Sequence, residues 1–97
     1  MMNKIIGITH VSGVLYKNEK MLDVIKNIVQ YLDGYLNVKL FLDQSNHLLP
    51  IVNIVIMISK KYELMNTLDG TIDNTIERIE NEFRFSSEKV FIYFLWK

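Results

Sequence analysis

Apolar and polar positions along the chain divide it into four strand-like stretches, two alternating and two almost continuously apolar, and two helical ones. Residues 4–11 (KIIGITHV) alternate, with Ile6, Ile8 and His10 on one side and Ile5, Gly7, Thr9 and Val11 on the other. That period of two predicts a strand. Gly7 inside it suggests close approach by another backbone. Ser12-Gly13 is a turn signal, and Val14, Leu15 and Tyr16 follow as the second leg of a hairpin or as a lead into a helix. From Asn18, an N-cap residue, the spacing changes. Met21, Leu22, Ile25, Ile28, Val29 and Leu32 recur at three and four, the stripe of an amphipathic helix. Gly34 is placed for a left-handed turn after it.

Residues 36–42 alternate again, with Leu36, Val38, Leu40 and Leu42 inward and Asn37, Lys39 and Phe41 outward. A polar loop, Asp43-Gln44-Ser45-Asn46-His47, leads through Pro50 into residues 51–59, which are almost continuously apolar. A strand of that kind belongs in the middle of a sheet, covered on both faces. Residues 60–70 fit neither period, and both a helical turn and a strand extension suit them. Thr71 reads as the cap of a second helix, whose stripe is Ile72, Ile76, Ile79 and Phe83. The final stretch, KVFIYFLWK, is β-branched or aromatic at nearly every position, which favours a strand. Val90, Ile92, Phe94 and Trp96 would take one side of it, and Phe91, Tyr93 and Leu95 the other.

The predicted order, strand-helix-strand-strand-helix-strand, makes one α+β domain over residues 1–97. Two right-handed crossovers onto one sheet give a ferredoxin-like βαββαβ plait. Its antiparallel sheet carries both helices on one face, with the last strand at an edge beside the first. Residues 3–16 as a hairpin would add a fifth strand. The plait leaves one sheet face uncovered, yet the last strand is apolar on both sides. Phe91, Tyr93, Leu95 and Trp96, with Val55 and Met57 on the third strand, are therefore the expected partner-binding residues, joined by Ile5 and Val11. Burying each large side chain of this kind contributes about 1.5–3 kcal/mol. Together they exceed the few hundred Å² of apolar patch that a monomer ordinarily exposes.

Charge narrows the choice of partner. Eleven basic and eleven acidic residues cancel, which disfavours nucleic acid, since phosphate binding needs clustered positive charge. The aromatics of the last strand are stacking candidates, but no basic-Gly-aromatic pattern accompanies them. Residues 1–61 carry seven basic and four acidic side chains, and residues 62–97 carry four and seven. The asymmetry of +3 against −3 would orient a charged partner or a second copy. No cysteine is present, so disulfides and thiolate metal sites are excluded and a reducing cytoplasm is permitted. The opening residues lack the layout of a secretory signal. The longest apolar-rich run, residues 48–58, contains Pro50 and Asn53 and falls short of the ~20 residues a membrane span needs. The chain has no alanine, nine asparagines, thirteen isoleucines and nine lysines against two arginines. That usage follows A/T-rich codons, as in a low-GC bacterium, its phage or a mobile element.

Candidate chemistry is sparse. His10 and His47, with Asp43 or Glu63, lack any spacing that brings metal ligands together. The Asp43-Ser45-Asn46-His47 loop is the best polar cluster, but no nucleophile sits on a constrained turn. Glu77 and Glu80 share a side of the second helix in polar surroundings and read as a solvated face. Glycines 7, 13, 34 and 70 are too dispersed to cradle a phosphate. These residues imply no catalytic group, no metal and no cofactor.

Residues 5–17 (IIGITHVSGVLYK), running into the first helix, resemble the start of ACT-type regulatory domains. There a strand enters a Pro-Gly-Val-Leu turn before the first helix. Ser12 stands in place of the proline, and the helix starts several residues late. The resemblance implies a small-molecule ligand near Ser12-Gly13 at a dimer interface. The residues themselves point first to a non-enzymatic cytoplasmic protein that binds protein through its apolar sheet face. It would act as a homodimer or as a small inhibitor or adaptor, phage-encoded or immunity-type. The alternatives are the ACT-like ligand-binding regulator and, behind it, an enzyme using His10 or His47.

Overall fold

The computed structural model describes residues 11–45, 48–62 and 70–97. Among them the chain is α+β, with two helices and a four-stranded mixed sheet. The strands are β1 (Val14–Leu15), β2 (Tyr35–Asp43), β3 (Ile51–Ile58) and β4 (Lys89–Trp96). The helices are α1 (Glu19–Val29) and α2 (Thr71–Glu82).

Local chemistry sets where the helices start and stop. Asn18 is extended, and its Oδ1 accepts the Met21 amide at 3.0 Å, so one orphan donor of the first turn is satisfied. Glu19 in the first turn and Lys26 in the last complement the helix dipole. The backbone leaves α1 at Gln30, and Gly34 takes φ +84° at the turn into β2. At α2 the N-cap is Gly70 (φ +70°) and not Thr71, so the cap position itself brings no side chain. Thr71 is instead the first helical residue, and its carbonyl accepts the Thr75 hydroxyl at 2.9 Å. The stretch after β3 begins as a 3-10 turn, Lys60–Tyr62. The remainder of the ambiguous segment, residues 63–69, lies outside the described residues, as do the expected first strand up to His10 and also His47.

Strand order departs from the plait. The sheet runs β1-β2-β3-β4, antiparallel at its first two pairings and parallel at the third. A ferredoxin-like plait needs its first strand between the third and the fourth. Here Ile51–Ile58 pairs directly with Lys89–Trp96 at every position, so no strand fits between them and the sheet is mixed. A short strand does follow the Ser12-Gly13 turn, but it pairs with β2, Val14 with Leu42 and Leu15 with Phe41. β3 holds the central place its apolar run predicts, with a neighbour on each side.

The register makes two distinct faces. On the first, Val38, Ile56 and Phe94 form one row, Leu40, Ile54 and Ile92 the next, and Leu42, Val52 and Val90 a third. Met21, Ile25, Ile28 and Val29 of α1 and Ile72, Ile76 and Ile79 of α2 pack with these residues in one core. Both helices therefore cover this same face, which we call the helix face. Leu36 breaks the alternation. The register slips between Tyr35 and Asn37, so Leu36 is the extra residue of an irregularity in β2 and is 53% exposed. A bulge of that kind turns its unpaired residue away from the ladder, and Tyr35 packs against the core in its place. No helix of the described residues is long and apolar enough to cross a membrane.

Candidate functional site

The second face of the sheet carries the polar residues that the helix face excludes, together with three aromatic ones. Its rows, read across β2, β3 and β4, are Asn37-Met57-Leu95, Lys39-Val55-Tyr93, Phe41-Asn53-Phe91 and Asp43-Ile51-Lys89. Five of the six expected partner-binding residues lie here. Met57, Phe91, Tyr93 and Leu95 are half-buried. Val55, at the centre, is only 4% exposed. Trp96 does not belong with them. It pairs with Ile58 on the helix face and is 8% exposed there. In a strand it must share a face with Phe94, two residues earlier, so its bulk serves the core. Its Nε1 is buried without a hydrogen-bond partner among the described residues.

One end of this second face is built into a cavity of about 290 Å³, lined by Val11, Ser12, Asp43, Ile51, Asn53, Phe91 and Tyr93. Phe91 and Tyr93 reach it because they are two apart on one strand. Asn53, the polar interruption of β3, lies between Phe41 and Phe91 in its row. It is 4% exposed, and burial of an amide demands a partner. That partner is the Ser12 carbonyl, which accepts from Asn53 Nδ2 at 2.9 Å. The bond ties the Ser12-Gly13 turn to the middle of the sheet. Gly13 makes the approach possible: its φ is +109°, and a Cβ there would lie 2.6 Å from the Leu42 carbonyl oxygen.

Asp43 supplies the charge. Its Oδ1 accepts the Ser45 hydroxyl at 2.6 Å and the Ser45 amide at 2.9 Å, an Asx turn at the exit of β2. Those two donors, the hydroxyl first, hold its carboxyl below the usual carboxylate range. The group therefore adds to folded stability above its unfolded-state pKa, and that contribution is lost as pH falls through the lower folded value. Removing the hydroxyl in Ser45→Ala should move the Asp43 midpoint up toward the ordinary value, with the amide bond retained. Carboxyl-carbon NMR titration of the variant measures this, and an unmoved midpoint would contradict the assignment.

Of the remaining candidates from the sequence, only those on α2 fall among the described residues. Glu77 and Glu82 are exposed on α2 and Glu80 is half-buried. His10, Asn46, His47 and Glu63 lie outside the described residues. Among the described residues no group of three His, Cys, Asp or Glu side chains is placed to hold a metal ion. The cavity itself was not legible as a site, although Ser12, Asp43, Phe91 and Tyr93 each stood out singly. Asn53, a lone amide in a run of isoleucine and valine, was the missed signal. Comparison of the chain with protein-family models, with curated proteins and with solved structures finds no match.

Proposed function

We propose that this chain is a non-enzymatic protein-interaction module that works through the second sheet face, as a homodimer or as a small inhibitor or adaptor. One observation carries the reading. Phe41, Met57, Phe91, Tyr93 and Leu95 are half-buried and adjacent in register, while α1 and α2 both pack on the opposite face. Half-covered apolar side chains in contiguous rows gain from further burial. The A/T-rich usage accords with a phage-encoded or immunity-type protein acting in the cytoplasm.

The test is association. The wild-type chain should run as a dimer in native mass spectrometry, or retain a target protein from a lysate of its source. Leu95→Glu on this face should abolish either behaviour while the thermal melt stays cooperative. A wild-type protein that stays monomeric and captures nothing would overturn the reading. So would a folded Leu95→Glu variant that associates as before.

A second reading, small-molecule regulation, has its own support. The ACT-like resemblance implies a ligand near Ser12-Gly13, and Ser12 lines the cavity beside Asn53, Phe91 and Tyr93. The strand order differs from the plait on which that resemblance draws, so the support comes from the cavity alone.

A further inference from the structure

We infer that the cavity beside Ser12 binds a small organic cation with a flat, delocalised head, of the amidinium or guanidinium class, held between the Asp43 carboxylate and the Phe91 and Tyr93 rings. The inference rests on the small-molecule reading and gives that ligand a chemical class.

Size comes first. A volume of about 290 Å³ accommodates a single ring with a charged head. Lining chemistry comes second. Among the described residues, Asp43 is the one carboxylate in the lining and no basic side chain contributes to it. Among the described lining residues an anion would meet Asp43 with nothing to offset it, and a neutral ligand would bring the carboxylate no counter-charge. A planar cation can donate to the carboxylate and lie against an aromatic face at the same time.

The third observation comes from the protein itself. Lys89 Nζ stands 5.3 Å from the centroid of the Phe91 ring, so this ring already holds a cation. Lys89 shares a row with Asp43, across Ile51, but does not line the cavity. It is an internal competitor for the Phe91 ring, and its removal should strengthen binding. A site selecting anions would respond in the opposite sense, because Lys89 would then be its nearest attraction.

Benzamidinium, benzoate and benzamide test this with one ring and three charges. Amide NMR shifts of the full chain are followed as each is titrated to millimolar concentration. Benzamidinium should shift Ser12, Asn53, Phe91 and Tyr93, and the other two should not. Asp43→Asn should weaken the affinity about tenfold, as loss of a charge-assisted hydrogen bond implies. Phe91→Leu should weaken it roughly threefold, and Lys89→Met should strengthen it. Binding of benzoate or benzamide as tight as that of benzamidinium would overturn the cation assignment and leave the ligand reading standing. Shifts unaffected by Asp43→Asn, or confined to another part of the chain, would also overturn it. Absence of any shift with all three probes would overturn both.

Discussion

Replacing Phe94 by alanine should remove about 3–5 kcal/mol of folding stability, the loss expected for truncating a buried phenylalanine. Phe94 is the largest of the fully buried side chains. It lies beside Ile56, in the row that β2 continues with Val38, on the face against which both helices pack. No solvent can fill the space it leaves, so the cost combines lost burial with an unfilled cavity. A domain of this size has only ~5–15 kcal/mol in total, so the variant should sit near its unfolding transition at room temperature. Urea denaturation measures the shift, with an unchanged slope marking a pure stability effect. Phe91→Ala, three residues away on the half-buried face, should cost distinctly less. Equal losses for the two would mean that the second face is as closed as the helix face.

Gly13→Ala should be the next most damaging change, at roughly 2–4 kcal/mol, from backbone strain together with the loss of a buried hydrogen bond. Two effects coincide there. The φ of +109° is one that side-chain-bearing residues rarely adopt, and the added carbon would meet the Leu42 carbonyl oxygen at 2.6 Å and its carbon at 2.7 Å. Both neighbours are backbone atoms of β2, so no side chain can swing aside. The turn must lift, and lifting it draws the Ser12 carbonyl away from the buried Asn53 amide. Gly70→Ala is the control, because φ is +70° there and, among the described residues beyond its chain neighbours, no heavy atom lies within 4 Å of the added carbon. Gly13→Ala should therefore lower the urea midpoint further than Gly70→Ala and shift the Asn53 side-chain amide resonances. Matching midpoints would show that the turn is not pressed against the sheet.

Much of the local structure could be read from the residues. The spacing of Met21, Ile25, Ile28 and Val29 and the cap at Asn18 define α1, because helical period and capping act over four residues or fewer. Alternation along β4 placed Ile92 and Phe94 opposite Phe91 and Tyr93 for the same reason. Trp96 shows where attention to bulk misleads. Its period assigns it to the core, whereas its aromatic character suggested a place in the interaction surface. Leu36 fails in another way, since nothing in a clean alternation announces that one residue will be left out of the ladder. Thr71 is a better capping residue than glycine, yet the chain enters α2 through Gly70 in a left-handed conformation.

The sequence by itself determined both helices, the identity of β2, β3 and β4, most of the residues that they bury and the central place of β3. All of these follow from periodicity and apolar run length, which are properties of neighbouring residues. Tertiary structure alone decided which strand lies beside β4. A direct β3-β4 pairing and a plait with a strand between them bury the same isoleucines, so the pattern is indifferent to the choice. Packing likewise brought Ser12, Asp43, Asn53, Phe91 and Tyr93 to one cavity. Those residues are distant along the chain, and no local rule relates a turn, a strand end and an aromatic pair until the register of three strands and the fold of the Gly13 turn have put them in contact.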